Sequence, residues 1–250
     1  MGQHAFGAVL IVASVQRALR LQPLLGVAST KKESRAQSFL WMANPLSIFR
    51  DTLVPLKAKM VKAAFVLLYC TVLSPGSMLN AWLNSIRQQN QGIVSEQVIA
   101  LFGSTSNLFG ALATLVTPPL IKWFGIYKAG NLLQFAQAAC VVCAAVTFAF
   151  VSQSSGTLLV WGFLFPLAIS RVGLWGFDLV ERQILQETVP MERQTVFFNT
   201  ERGLTQLVSL GIMYLCYVFS DPASFGILVA VSATAVVSAS GILALSTMVN

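Results

Sequence analysis

An all-α membrane bundle of six spanning helices is the fold class this sequence predicts, and three observations predict it. Of its 250 residues, 56% are hydrophobic and only 10% are charged, with a mean hydropathy of +0.72. The apolar residues gather into runs of about 20, the length that crosses about 30 Å of hydrocarbon at about 1.5 Å per residue. Short polar linkers such as SQSSG and SDPAS separate the runs. An ordinary soluble domain carries about a quarter charged residues, so this chain cannot clothe a water-facing surface. In lipid, a helix satisfies its own backbone.

The spans follow in order. The first runs from Ala63 to Leu83, the second from Val98 to Ile121 and the third from Ala129 to Val151. The fourth runs from Thr157 to Val180, the fifth from about Val196 to Phe219 and the sixth from Phe225 to Val249. Residues 63–250 are therefore expected to form the six-helix transmembrane lobe and residues 1–62 an N-terminal segment. Basic residues set the orientation. Arg50, Lys57, Lys59, Lys62, Lys122, Lys128, Arg182 and Arg193 fall on one side, and the opposite loops offer only Arg87. That excess places both ends of the bundle on the cytoplasmic or stromal side.

The N-terminal segment reads differently. AFGAVLIVASV, Ala5 to Val15, is too short to span. Three readings stand for it: a signal h-region, part of a transit peptide, or the stump of a preceding span. STKKESRAQS is a solvated linker, and Pro45 and Pro55 bracket an amphipathic stretch suited to the membrane interface.

Composition also excludes function classes. The net charge of +7 reports topology, because no basic stripe interleaved with aromatics offers itself to nucleic acid. No P-loop, GxSxG or paired Cys-x-x-Cys motif appears, so neither an enzyme nor a cofactor is expected. CVVC, Cys140 to Cys143, sits mid-span and reads as packing rather than redox chemistry. His4 alone assembles no metal site.

Three stretches carry candidate function. In TVLSPGSMLN, Pro75 and Gly76 lie near mid-membrane in the first span. Proline removes a donor and clashes with the preceding turn, so the helix is expected to kink or unwind there. Such a break is either a structural kink or a transporter binding point. In the second span, GSTSNLFGA (Gly103 to Ala111) supports close helix packing, or a polar wall that includes Asn107. In the fourth, SRVGLWGFDLVERQILQE (Ser170 to Glu187) puts Arg171, Asp178, Glu181 and Arg182 on one face. Ionised groups deep in a span turn toward the bundle interior. Glu192, Arg193, Glu201 and Arg202 of the fifth span are their possible partners. The set is expected to form an ion-pair network, either static glue or a gate.

At these residues the sequence resembles the ferroportin, or solute carrier family 40, iron exporters. SRVGLWGFDLVERQILQETVP is similar to the family's ARIGLWSFDLxxxQLLQExV signature. ANPLSIFRDT (Ala43 to Thr52), LLYCTVL and DPASFGILV resemble further landmarks of the family's second lobe, in order. The turn TPPLIKWFGIYKAGN is similar to a loop of major-facilitator transporters, without its acidic residue. The resemblance covers about Ala43 to Val249 and implies one six-helix lobe of a twelve-span, major-facilitator-type transporter. It implies alternating access and export of ferrous iron or a related divalent metal. Lipid bilayer, the transported metal, and a missing first lobe or a second copy are the implied partners. The plasma membrane and the plastid envelope are both open.

The resemblance also implies a metal site with an aspartate–cysteine pair in the broken seventh helix and a histidine in the eleventh. Here Gly76 and Ser77 take the first two positions and Ile212 the third. Cys70 and Cys216 lie on the faces of the lost ligands at helical spacing. Ser77, Cys70 and Cys216 are thus the candidate metal donors, although iron favours imidazole, thiolate or carboxylate over hydroxyl. Two alternatives to metal transport follow: a divergent family member with a non-metal substrate, and a non-transporting membrane subunit.

Overall fold

A computed structural model describes residues 54–74, 77–89, 94–151, 157–221 and 224–248. The expectations for residues 1–53, and the helix break placed at Pro75 and Gly76, lie outside these residues. The described residues are all helical or in turns. They form α1 (Leu56–Leu68), α2 (Ser77–Gln89), α3 (Glu96–Phe124), α4 (Ile126–Val151), α5 (Thr157–Thr188), α6 (Met191–Val218) and α7 (Phe225–Met248). All seven belong to one compact unit, residues 45–250.

The all-helical class stands, and four of the six expected spans are met in full among the described residues. Four helices among the described residues, α3, α4, α5 and α7, are long and apolar enough to cross a membrane. The first expected span is instead two helices of 13 residues each, and each reaches only about 20 Å at 1.5 Å per residue. The fifth, α6, has 28 residues, but Glu192, Arg193, Glu201 and Arg202 make its first half too polar to qualify. The helix α5 is also longer than its expected span, so Ser170 to Glu187 lies wholly on one helix of 32 residues.

Capping residues explain several boundaries. Ser95 accepts the Val98 N–H at the start of α3, where Glu96 complements the helix dipole. Gly125 ends the same helix at φ 79°, the only positive φ among the described residues. Its N–H closes on the Ile121 carbonyl at 2.9 Å, and a side chain there would be strained. Pro190 separates α5 from α6 with extended backbone, as a residue that cannot continue the ladder should.

The core is organised around α5. It packs most extensively on α4 and α3, while α7 leans on α1 and α4. Small residues permit the closest approach: a Cβ on Gly173 would lie 2.5 Å from the Leu133 carbonyl oxygen. One on Gly110 of α3 would meet the Trp175 ring at 3.0 Å. Of the small-residue stretch in α3, this glycine carries the close packing, whereas Gly103 has open space and Asn107 is exposed.

Two apolar clusters mark the ends of the bundle. At one end Trp82 of α2 stacks on Phe225 at 4.9 Å and meets Phe148 and Phe163 at 5.2 and 5.6 Å. At the other, where α5 turns into α6, Val54, Ala58, Leu185, Val189 and Phe197 pack together. Substituting Gly173→Ala should force α4 and α5 apart and cost about 1–3 kcal/mol. Thermal unfolding of the purified chain in detergent measures it, and an unchanged midpoint would show that this contact is slack.

Candidate substrate cavity at the broken helix

The stretch between α1 and α2 leaves the helical path earlier than proline alone would dictate. Backbone tightening ends α1, with Tyr69 N–H on the Val66 carbonyl (3.1 Å) and Cys70 N–H on the Leu67 carbonyl (3.0 Å). Tyr69 to Ser74 are then non-helical. An unwound backbone inside a bundle exposes donors and acceptors that need partners, and neighbouring helices supply them. Arg171 of α5 donates from Nη2 to the Leu73 carbonyl at 2.7 Å. Ser232 of α7 accepts the Val72 N–H at 3.0 Å and donates its own O–H to the Leu228 carbonyl. Leu73 N–H bonds the Thr71 hydroxyl at 3.1 Å. The break is thus held from two sides.

A cavity of about 180 Å³ opens beside this break, between it and the second half of α6. Its walls are Tyr69, Thr71, Val72, Ser74 and Met78 on one side and Ser209, Ile212, Met213 and Cys216 on the other. The donors it offers are soft sulfurs and hydroxyls. Among the described residues no group of three or more His, Cys, Asp or Glu is placed to hold a metal ion.

Of the candidate donors, Cys216 is buried and lines the cavity one helical turn after Ile212. Cys70 is half-buried and not part of that lining. Projecting Cys70 two turns forward onto Ser77 assumes a continuous helix, and the chain leaves the helix at Tyr69. The side chain of Ser77 lies outside the described residues. Met78 and Met213 escaped the sequence reading; a thioether one residue past each expected ligand position was the available signal.

The charged residues divide into separate arrangements instead of one network. Arg171, 8% exposed, serves the broken helix. It stands about 10 Å along the axis from Asp178 at seven residues' separation, too far to pair. Asp178 and Arg182 form an i,i+4 ion pair at 3.2 Å on the surface of α5. Glu181 points inward and is fully buried, beside Glu201 of α6. Glu192 is exposed in the first turn of α6, and Arg193 is half-buried with its backbone N–H on the Pro190 carbonyl at 2.8 Å. Lys62, expected at the membrane surface, is fully buried; it donates to the Phe197 carbonyl and lies 3.6 Å from the Phe197 ring centroid.

A helical membrane lobe with an unwound stretch beside a cavity of mixed polar and apolar lining resembles the architecture that secondary transporters use. Comparison with known proteins gives the family. Residues 56–236 match the sequence model of Ferroportin1 (FPN1), and the chain belongs to the ferroportin family, a family of multi-pass membrane transporters rather than enzymes. It is 30% identical over 200 residues to solute carrier family 40 member 2, chloroplastic, of Oryza sativa subsp. japonica, covering 78% of this chain and 33% of the relative. Ferreportin of Bdellovibrio bacteriovorus is 30% identical over 132 residues, 52% of this chain and 28% of that protein.

Solved structures agree. A bacterial homologue of the iron transporter ferroportin in an outward-facing state superposes with TM-score 0.70 at 25% identity, over 77% of this chain and 45% of that one. A bacterial homologue of the iron transporter ferroportin in an inward-facing state gives TM-score 0.70 at 25% identity, over 80% of this chain and 48% of that one. The chain spans about a third of the length of the curated plant relatives and under half of the solved bacterial chains.

Removing the guanidinium by Arg171→Met leaves the Leu73 carbonyl without a partner and should cost about 1–3 kcal/mol. Ser232→Ala should cost less, and the two together should be non-additive because they hold the same break. Thermal unfolding of the three variants in detergent checks this; simple additivity would mean the two contacts act independently.

Proposed function

We propose that this chain is one lobe of an alternating-access transporter that moves iron or another divalent metal across a membrane. The observation that carries the reading is the unwound segment Tyr69–Ser74, hung on Arg171 and Ser232 beside a cavity, in a chain of the ferroportin family. Unwound helices near the midplane serve transporters as binding points. A bound metal would draw on Cys216 and the cavity hydroxyls, with Met78 and Met213 as weak donors. Ser77 and Cys70, next to the break, complete the candidate set.

Alternating access requires a second body for this lobe to rock against, a first lobe or another copy of the chain. In this reading the surface pair Asp178–Arg182, with Glu192 and Arg193 at the turn between α5 and α6, breaks and re-forms as a gate; the exposure of the pair supports it. Plasma membrane and plastid envelope both suit such a protein, and two rice relatives are named as chloroplastic.

A second reading, transport of a non-metal substrate, is favoured by a specific observation. The histidine position of the family site is Ile212, which lines the cavity, and no three-donor cluster stands among the described residues.

Flux of Fe²⁺, Mn²⁺ and Co²⁺ in cells expressing the full-length protein tests the proposal. Metal-dependent flux is expected, falling about tenfold in Arg171→Met if the variant loses about 1.4 kcal/mol of bias between its two conformations. Cys216→Ala should weaken the apparent affinity for metal with little change in maximal rate. Flux that is indifferent to metal and to Cys216→Ala would discard the metal reading in favour of the second.

A further inference from the structure

Three ionisable side chains from three helices meet in the interior at the end of the bundle where α5 turns into α6. Lys62 of α1 and Glu181 of α5 are 0% exposed, and Glu201 of α6 is 8% exposed. The two carboxyl groups lie side by side, within reach of a carboxyl–carboxyl hydrogen bond. Two carboxylates supply no donor to each other, however. In that form both Oε1 and Oε2 of Glu181 and Oε2 of Glu201 are buried with no hydrogen-bond partner. Lys62 does not relieve them. Its ammonium is committed to the Phe197 carbonyl and acts on the pair from beyond ion-pair distance.

The charge count points the same way. Two carboxylates and one ammonium sum to −2 + 1 = −1 in a water-poor interior, where an uncompensated charge is expensive. One proton brings the sum to zero and supplies the missing hydrogen bond. Other groups act on the site. Asp178 and Arg182 of α5 cancel in their own 3.2 Å pair, Tyr69 at the end of α1 is neutral, and α7 carries no titratable side chain.

We infer that Glu181 and Glu201 form a proton-binding dyad, one carboxyl protonated and donating to the other, that fastens α6 to α5 with Lys62 of α1 as its counter-cation. The bond formed is O–H···O⁻ between the two side chains. Loss of the proton to water leaves two facing carboxylates, whose repulsion parts α6 from α5 at this end. Proton occupancy thereby sets how firmly the wall that carries Ser209, Ile212, Met213 and Cys216 is anchored. The inference does not depend on which substrate the cavity accepts.

Infrared difference spectroscopy of the full chain in lipid, titrated through neutral pH, tests it. The wild type should show one protonated carboxyl carbonyl band at neutral pH, sensitive to H₂O/D₂O exchange. The band should disappear in the double variant Glu181→Gln/Glu201→Gln and also in each single variant, where the remaining carboxylate balances Lys62 and accepts from the amide. Lys62→Met removes the cation, so the pair should take up a second proton and the band should grow about twofold, as coupled sites titrate.

If Lys62→Met does not fold, the Gln variants, which keep an amide donor in place, still decide the matter. The thermal midpoint of the wild type should fall as pH rises past the titration, and that of Glu181→Gln should be flat. No protonated carboxyl at neutral pH in the wild type, or a band that survives the double variant, would overturn the dyad. So would a site that binds Mn²⁺ in place of the proton.

Discussion

Everything in this lobe depends on how an unwound piece of backbone is tolerated inside an apolar bundle. Hydrocarbon offers no hydrogen bonds, so Val72 and Leu73 must find them on neighbouring helices. Ser232 and Arg171 provide them, from α7 and α5. A buried guanidinium is itself expensive, and the carbonyl it serves explains its presence. The two requirements offset one another: the break needs a donor, and the arginine needs an acceptor. The cavity follows, because a segment that leaves the helical path no longer fills the space against α6.

Charge is sorted by depth in a way that separates fastening from signalling. Arg87 and Glu96, at 2.6 Å, and Asp178 and Arg182, at 3.2 Å, are exposed pairs, and pairs of that kind contribute about 0–1 kcal/mol each. The groups with large energetic stakes are those with nowhere to put their charge: Arg171, Lys62, Glu181 and Glu201. Lys62, Glu181 and Glu201 sit on contacts between helices that otherwise touch sparingly, since α6 meets α1 and α5 only lightly.

The fold class was legible because lipid imposes a length and a composition that few soluble sequences imitate. Residues 96–151 and 225–248 read as spans for that reason. The broken first span was partly legible: Pro75 and Gly76 signalled an interruption, but the chain unwinds from Tyr69, where no proline or glycine stands. Tertiary partners, Arg171 and Ser232, decide that boundary, and a linear pattern does not contain them. Spacing puts Arg171, Asp178, Glu181 and Arg182 on one face of a helix, yet Arg171 and Glu181 are buried while Asp178 and Arg182 pair at the surface. Spacing fixes a face, and only the neighbouring helices decide whether a side chain on it meets a carbonyl, a carboxylate or water.

Lys62 was the instructive miss. A basic residue next to an apolar run reads as a topology marker, yet Ala58, Val61, Lys62 and Phe65 share the buried face of α1. That periodicity was available, and it outweighs the rule of thumb about basic flanks once a backbone carbonyl of another helix, that of Phe197, is within reach.

The second half of α6 shows Leu207, Leu210, Tyr214 and Tyr217 on its outer surface, and it packs only lightly on the rest of the lobe. Among the described residues, one wall of the cavity therefore has no helix packed behind it. Its stiffness is borrowed. Acyl chains or a neighbouring protein pressed against those side chains would set how far the wall gives, so the same sequence in a thicker, thinner or more crowded bilayer would present a chamber of different compliance.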